Sequence, residues 1–316
     1  MTVLNEWFFP RGSLASDGWE SVVDGRTAVD GRTPSWRHTG IHVAALAGGT
    51  VALPAADVER IVVPLAGSFS VDHGDTSSVL DGRSSVFDGP TDVLYVGAGQ
   101  AMSISGDGRV AVAESPTTAR RPSRHLSRSE IPVEIRGAGH ATRQIHNFGW
   151  PGTLDTAALL VCEVITPAGN WSSYPGHKHD ESLPGQETQL EEIYYFEAAP
   201  ARGVGAPPHA DPFGSFATYS SAAGEIETRA LVRTGDIALV PYGYHGPAAA
   251  APEYDLYYLN VMAGPAPERA WLFSDDPRQA WVRSRWDGLA PDPRLPYSAA
   301  EAPEAQGAAE AQGAGA

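Results

Sequence analysis

The chain has 316 residues, 42% of them apolar, and a formal net charge of −16 at pH 7. This length predicts two domains or one large one, with enough apolar side chains for a sizeable core. The acidic balance argues against nucleic-acid binding, and no segment has the apolar length of a membrane span. The single cysteine, Cys162, excludes a disulfide framework and predicts a buried, unreactive thiol in a cytoplasmic protein.

In the first half, short apolar runs recur between turn signals, and long helical periodicity is missing. This spacing predicts an all-β sandwich or barrel. Four Asp-Gly dipeptides, at residues 24–25, 30–31, 81–82 and 88–89, are typical of hairpin turns. The predicted strands are Ile41–Leu46, Arg60–Leu65, Phe69–Val71, Val93–Val96 and Val110–Ala113.

The histidines of the first half, at positions 38, 42, 73, 125, 140 and 146, form no His-x-His pair with a downstream glutamate. This half is therefore predicted to lack a metal site. Residues 115–130 are rich in Arg, Ser and Pro and predict a solvated linker, with anion or partner binding as the alternative.

In the second half, Arg143–Phe148, Leu159–Thr166 and Tyr254–Ala263 read as strands. Tyr257 and Tyr258 alternate along the last of these, so one of them is expected to point into a barrel. The segment after Gly264 is rich in Trp and Arg, and its clustered aromatics suit either a cover of the barrel or a subunit interface. A short helix is predicted in it around residues 277–285. The end, from Ala299, has nothing to bury and is predicted to be disordered.

The strongest chemical signal lies between Asn170 and Phe196. His177 and His179 are spaced i, i+2, so on a strand they converge on one point. Glu191 and Glu192 follow at the start of an aromatic strand, where alternation lets only one of them face that point. Lys178 would point away and is not expected to be catalytic. A third histidine, His245, ends the motif Pro-Tyr-Gly-Tyr-His.

Neutral imidazoles and a carboxylate suit a borderline divalent metal such as Zn, Mn, Fe or Ni. Such a set leaves coordination positions open for a substrate, which is typical of a catalytic rather than a structural site.

These motifs resemble known ones. The segments W-S-S-Y-P-G-H-K-H-D-E, L-E-E-I-Y-Y-F, P-Y-G-Y-H and Y-D-L-Y-Y-L-N-V-M-A-G-P together resemble the 5-deoxy-glucuronate isomerase family of inositol catabolism. That family is similar to the 4-deoxy-5-hexulose-uronate isomerases of pectin breakdown. The first half fits more loosely, through P-L-A-G-S-F-S-V and L-Y-V-G-A-G. The sequence departs from the usual cupin pattern in the twelve residues that separate His179 from Glu192.

The resemblance implies an all-β bicupin fold with two β-barrel or jelly-roll domains. The expected boundaries are an N-terminal cupin-like domain without a metal site at residues 1–125, a metal-binding domain at 126–290, and a disordered tail at 291–316. It also implies metal ligands at His177, His179, Glu192 and His245. Glu192 is preferred to Glu191 because the I-Y-Y-F run follows it. Zinc is the first choice of metal, and a homo-oligomer is expected.

The implied reaction is an aldose–ketose isomerisation of a uronate, 5-deoxy-D-glucuronate, to 5-dehydro-2-deoxy-D-gluconate. The general base is open among Tyr244, Tyr257 or Tyr258, Glu191, and a loop carboxylate, Asp180 or Glu181. Of these, Tyr244, Tyr257 and Glu191 are predicted as catalytic. Arg143 and Tyr258 are predicted to bind substrate, since a guanidinium pairs well with a carboxylate.

Proton transfer through an ene-diol and a hydride shift remain alternatives at the level of sequence. So do two other functions: a metal-dependent cupin dioxygenase and a non-catalytic sugar-binding cupin.

Overall fold

The computed structural model describes residues 4–24 and 36–298. Within these ranges the chain forms twenty strands and four short 3-10 helices, and no α-helix. The predicted turn at residues 30–31, Gly25 of the turn before it, and the tail from Ala299 lie outside the described residues. No helix in the described part of the chain is long and apolar enough to cross a membrane. The protein is all-β, as its turn-rich sequence predicts.

Seven strands of the first half form one antiparallel sheet, here called the N-sheet. Its strands are β2 (Ser21–Val23), β3 (Gly40–Leu53), β4 (Val58–His73), β5 (Thr76–Arg83), β6 (Val93–Val96), β7 (Met102–Pro116) and β8 (Arg124–Leu126). Their order is β2-β3-β7-β4-β6-β8, with β5 paired to β4. Two separately predicted strands, Arg60–Leu65 and Phe69–Val71, are parts of β4. Register shifts interrupt β4 and β3, and such bulges bend long strands.

A second sheet, the central sheet, is built mainly from the second half. It contains β1 (Phe8–Phe9), β9 (Val133–Arg136), β10 (Arg143–His146), β11 (Leu160–Thr166), β14 (Glu191–Pro200), β17 (Ile237–Val240) and β19 (Tyr254–Ala263). Their order is β1-β17-β14-β19-β11-β10-β9. The two residues of β1 come from the N-terminal segment and extend one edge of this sheet.

The third sheet, the outer sheet, covers one face of the central sheet. It contains β12 (Trp171–Ser172), β13 (His177–Lys178), β15 (Gly214–Tyr219), β16 (Glu227–Val232), β18 (Tyr244–Ala250) and β20 (Ser274–Asp275). Their order is β16-β15-β18-β13-β20, with β12 paired to β18.

The segments between and after the sheets are more ordered than the sequence indicates. The predicted linker is mostly exposed, as a solvated connector should be, but it also contains β8, whose Leu126 is fully buried. The 3-10 helices are Val86–Asp88, Arg128–Glu130, Gly139–Ala141 and Ala280–Trp286, the last overlapping the predicted helix. Residues 291–298, which were assigned to the tail, pack on the second half, where Tyr297 is buried and donates to Asp255.

Three hydrophobic cores separate the layers. One core lies inside the N-sheet, which curls around its own residues such as Leu46 and Phe69. Another lies between the central and outer sheets, with Phe196 and Phe216 among its members. The largest joins the N-sheet to the other face of the central sheet. The central sheet is thus buried on both faces. This explains why every residue of β19 except Tyr254 is buried.

A fully buried ion pair fastens the N-sheet to the central sheet. The Arg83 guanidinium donates to both oxygens of Glu163 at 2.7 Å, and the Tyr257 hydroxyl donates to Glu163 Oε2 at 2.7 Å. His146 Nδ1 lies 2.6 Å from the other oxygen. Burial opposes ionisation of Glu163, but the charge and hydrogen bonds of Arg83 and His146 hold its pKa down, at about 2. Glu163 is therefore a buried carboxylate whose lone pairs are well satisfied.

We expect Glu163→Gln to lower the free energy of unfolding by about 3–5 kcal/mol, because it leaves the buried Arg83 charge unpaired. Equilibrium denaturation with urea measures this loss. Arg233→Gln, which breaks an exposed pair with Asp211, is the control and should cost no more than about 1 kcal/mol. The depressed pKa makes the contribution of Glu163 fully present above the ordinary glutamate pKa. It is lost as the pH falls toward about 2. Equal losses in the two variants would contradict this account.

Candidate metal centre and adjoining pocket

The predicted metal ligands meet where the outer sheet faces the central sheet. His177 lies on β13 opposite His245 of β18. Glu192 lies near the start of β14, between Val240 and Met262 of the neighbouring strands. His179 follows β13, and its carbonyl accepts a hydrogen bond from Leu190 N at 2.9 Å. This bond closes the long loop between His179 and Glu192 and returns the chain to the cluster.

Three of the four side chains form a tight group around one carboxylate oxygen. Nε2 of His179 lies 2.9 Å from Glu192 Oε2, and Nε2 of His245 lies 3.1 Å from the same atom. The potential ligand atoms of these three residues all lie within 4.8 Å of one another. His177 is not part of that group, but its ring centroid is 4.4 Å from that of His245. All four side chains are buried.

The surroundings of the rings suit a bound divalent cation. Nδ1 of His177, His179 and His245 lies 3.2, 3.2 and 3.3 Å from the backbone carbonyl oxygens of Pro175, Leu190 and Gly243, respectively. A carbonyl only accepts, so each Nδ1 carries the proton and each Nε2 is left to act as a ligand. Among the described residues, Nε2 of His245 is buried and makes no hydrogen bond of good geometry, although Glu192 Oε2 lies 3.1 Å away. A cation at this point would satisfy it.

The charges at the cluster are also those of a metal site. Burial, together with His245 and His179, lowers the pKa of His177 well below its ordinary value, so that ring is neutral. Burial also opposes charge on Glu192, but the neighbouring imidazoles of His179 and His245 lower its pKa overall. The cluster thus pairs an ionised carboxylate with imidazole nitrogens, a combination that Zn, Mn, Fe and Ni all accept.

Lys178 serves the loop rather than the cluster. Its ammonium group donates to Asp180 at 2.7 Å and to Glu187 at 2.9 and 3.1 Å, and it also contacts Glu181. Two of these, Asp180 and Glu181, are the loop carboxylates that the sequence offers as candidate bases. Because they neutralise a mostly buried lysine, their role here is to fold the loop.

The three residues predicted as catalytic lie away from the cluster. Glu191 accepts backbone hydrogen bonds from Arg37, His38 and Thr39 at 2.7–3.3 Å. Tyr257 faces the N-sheet and donates to Glu163. The half-buried Tyr244 ring stacks on Tyr219, 5.2 Å between centroids. The structure does not bring these side chains together with the metal ligands.

The two residues predicted to bind substrate do share a pocket. It lies between the central and outer sheets and is lined by Arg136, Arg143, Ile145, Cys162, Val164, Ser173, His177, Tyr194, Tyr258, Asn260 and Trp271. His177 connects it to the metal cluster. Tyr258 is the barrel-facing member of the tyrosine pair, and its hydroxyl lies 3.1 Å from Ser173 Oγ.

Arg143 is a buried cation at one end of this pocket. Its guanidinium donates to the Ala141 carbonyl at 3.2 Å and lies 5.9 Å from the Trp286 ring centroid. Burial lowers its pKa to about 10, which leaves it charged at neutral pH. No carboxylate belongs to the pocket lining given above, so an anionic ligand would supply the missing counter-charge.

Sequence reasoning missed five polar residues of the pocket: Arg136, Ser173, Tyr194, Asn260 and Trp271. The Asn260 amide nitrogen and the Trp271 indole nitrogen are buried donors that have no partner in the part of the chain that the structure describes. Arg136 is held by two hydrogen bonds to Glu134, at 2.9 and 2.8 Å, and lies over Trp271. Asn260 is two residues after Tyr258 on β19 and so shares its strand face. This spacing is visible in the sequence and could have placed Asn260 in the pocket with Tyr258. Trp271 lies in the Trp- and Arg-rich segment after Gly264, whose aromatics the sequence offers as a cover of the barrel.

A second polar cluster lies in the first half. Asp24, His42 and Glu114 offer ligand atoms within 4.8 Å of one another, and both His42 nitrogens lack hydrogen bonds. However, Arg60 Nε already lies 3.3 Å from Glu114. Arg60 is the register partner of Glu114 on the neighbouring strand. At the cluster of the second half, the register partner of Glu192 on β19 is the apolar Met262. The absence of a metal site from the first half stays a prediction.

Comparison with known proteins gives concordant matches. The model of the KduI/IolB family matches residues 17–282. A protein of Geobacillus kaustophilus named 5-deoxy-glucuronate isomerase is 39% identical over 252 residues, which are 78% of this chain and 86% of that protein. The crystal structure of an IolB-like protein from Salmonella typhimurium superposes with a TM-score of 0.75 and 32% identity, covering 87% of this chain and 98% of that one.

A more distant structure shows the fold alone. An oxalate decarboxylase of Bacillus subtilis, a protein described as having Mn(II) centers, matches with a TM-score of 0.54 and 12% identity. The match covers 91% of this chain and 85% of that one. The architecture is therefore cupin-like over almost its whole length.

We expect His245→Ala to lower the amount of divalent metal that the purified protein retains, because it removes one of the three grouped ligands. Metal content after loading with zinc or manganese is measured by mass spectrometry, with circular dichroism to check the fold. The matched control is His209→Ala, since His209 is exposed and outside the cluster. If both variants retain as much metal as the parent protein, the cluster is not the binding site.

Proposed function

This chain belongs to the KduI/IolB family, and from that premise we propose that it is a 5-deoxy-glucuronate isomerase. It converts 5-deoxy-D-glucuronate, an aldose, into 5-dehydro-2-deoxy-D-gluconate, a ketose, in myo-inositol catabolism. The observation that carries the proposal is one continuous site, in which a His/Glu cluster adjoins a pocket that ends at the buried Arg143. A uronate carries a carbonyl at one end and a carboxylate at the other, so it matches both ends of that site.

The proposal includes a bicupin arrangement. The curled N-sheet around its own core would be the first barrel, and the central and outer sheets around theirs would be the second. In the second barrel, His177, His179, Glu192 and His245 would hold one divalent metal, with Zn ahead of Mn, Fe and Ni. The domain boundary is proposed close to residue 126, at the end of β8.

A divalent metal bound there would polarise the substrate carbonyl and orient the neighbouring hydroxyl, lowering the barrier to isomerisation. The protein's own groups do the rest. Arg143 binds the substrate carboxylate and so fixes the direction in which the carbon chain of the substrate lies in the pocket. Tyr194 and Tyr258 stay protonated, because burial raises the pKa of both phenols. Ser173 lies within 3.2 Å of both hydroxyls, so the three groups form a neutral hydrogen-bonded network on the pocket wall.

Hydrogen must move from C2 to C1. Either a side chain of the pocket transfers it as a proton, or it moves directly within the substrate. Tyr244, Tyr257 and Glu191 remain the bases proposed from the sequence, but their positions do not favour them. A direct hydride shift is the competing route.

We further propose a cytoplasmic homo-oligomer. Trp281 and Leu289 are 63% and 55% exposed, close together in sequence at the C-terminal end of the described chain. Exposed apolar side chains of this size favour an interface between subunits. The buried thiol of Cys162 agrees with a reducing compartment.

We expect the purified protein to convert 5-deoxy-D-glucuronate to the keto product in a proton NMR time course, and a chelator to abolish the conversion. Run in deuterated water, the experiment also separates the two routes. Deuterium at the new C1 indicates an ene-diol, and its absence indicates a hydride shift or a shielded proton. No conversion with any added divalent metal would overturn the proposal.

We expect Arg143→Met to raise KM for the uronate about 10- to 100-fold, because a charge-assisted hydrogen bond to the carboxylate contributes about 1.5–3 kcal/mol. Steady-state kinetics measures the change, and Arg233→Met at the surface is the control. An unchanged KM in Arg143→Met would remove Arg143 from the substrate site.

A further inference from the structure

We infer that Ile145 and Val164 make the pocket selective for a substrate without a hydroxyl group on the carbon next to its carboxylate. The inference rests on the proposed function and extends it from a reaction to a specificity. It concerns the distinction between 5-deoxy-glucuronate and glucuronate, two uronates that differ only by the hydroxyl at C5.

The pocket wall on the central sheet consists of successive rows of side chains. The register places Glu192 beside Met262 and Leu160, at the end of the wall that carries the metal cluster. The next row on the same face contains Tyr194, Asn260 and Cys162, and the row after it contains Tyr258, Val164 and Ile145. Arg143 lies two residues before Ile145 on β10, on the side away from the cluster, so it comes last.

The chemical character of these rows changes in a fixed order. Next to the cluster, the unpartnered amide nitrogen of Asn260 offers a donor, and the indole nitrogen of Trp271 offers another from the cover of the pocket. The next row offers the hydrocarbon of Ile145 and Val164. Its third member, Tyr258, uses its hydroxyl toward Ser173, on the opposite side of the pocket. The guanidinium of Arg143 is the last group.

An open-chain 5-deoxy-uronate has the same order of groups. Its reacting carbons, C1 and C2, carry oxygen, and C3 and C4 carry hydroxyls. C5 is a methylene, and C6 is the carboxylate. With the reacting end at the cluster and the carboxylate at Arg143, the hydroxyls reach the free donors of Asn260 and Trp271. The methylene then lies against Ile145 and Val164.

A hydroxyl at C5 would be disfavoured at this point. It would lose its hydrogen bonds to water and meet two apolar side chains that are 3% and 4% exposed. Burying a hydroxyl without a partner is costly, although an apolar wall of this kind rejects an added hydroxyl by only about 100-fold. The expected discrimination is therefore real but limited, and a single hydroxyl in the wall should reduce it.

The test replaces Val164 by Thr, which keeps the shape of the side chain and adds a hydroxyl to the wall. We measure KM for 5-deoxy-D-glucuronate and the inhibition constant of D-glucuronate against the same reaction, so glucuronate need not be turned over. The ratio of inhibition constant to KM should fall about tenfold in Val164→Thr, the effect of one added hydrogen bond.

The matched control is Val161→Thr, on the same strand but facing the N-sheet core. It should leave the ratio unchanged, and thermal unfolding shows whether both variants are folded. Ile145→Thr provides a second variant of the wall if Val164→Thr is unstable. A ratio that stays at the parent value in the folded wall variants, or that shifts equally in Val161→Thr, would overturn the inference.

Failure of the proposed function would look different. If the parent protein does not isomerise 5-deoxy-D-glucuronate at all, the isomerase proposal fails before any variant is compared. If it does, and the wall variants leave the ratio unchanged, the isomerase stands and only the role of Ile145 and Val164 is wrong.

Discussion

The architecture depends on one buried carboxylate, Glu163. Its position on β11 is fixed by hydrogen bonds from Arg83, His146 and Tyr257, and a charge buried this deeply is tolerated only with partners of this quality. Because side chains alternate along a strand, fixing Glu163 toward the N-sheet turns its neighbours Cys162 and Val164 toward the pocket. A shift of one residue in the register of β11 would turn Glu163 toward the pocket and Cys162 and Val164 toward the N-sheet. The contact between the halves thus also sets the register of the substrate wall.

Two further carboxylates join the halves in a related way. Glu59 of the N-sheet accepts the backbone N–H groups of residues 157–159 at 2.6–2.9 Å, just before β11 begins. Glu191 of the central sheet accepts those of residues 37–39. Each carboxylate satisfies loop donors that would otherwise be buried without partners. The described residues of the first half supply no side chain to the pocket lining, yet they hold the back of the sheet on which the pocket is built.

Much of this could be read from the sequence, for identifiable reasons. The i, i+2 spacing of His177 and His179, and the alternation that separates Glu192 from Glu191, are local rules that a strand obeys in any context. The burial of Tyr257 and of part of the segment 115–130 depends on contacts with residues that are distant in sequence. Tyr257 is on a strand buried on both sides, so its periodicity could not tell the pocket face from the inter-sheet face. Leu126 becomes buried only because β8 pairs with β6, a contact between distant residues.

The segment His177-Lys178-His179 shows how one strand rule separates folding from chemistry. The two histidines face the cluster, while the residue between them must point the other way. In this chain that residue is a lysine, and its ammonium group gathers Asp180, Glu181 and Glu187 from the loop that follows. The loop is twelve residues long and rich in acidic groups, which would repel one another and the Glu192 carboxylate. By neutralising them, Lys178 allows the loop to fold back, so that Leu190 reaches His179 and delivers Glu192 to the histidines.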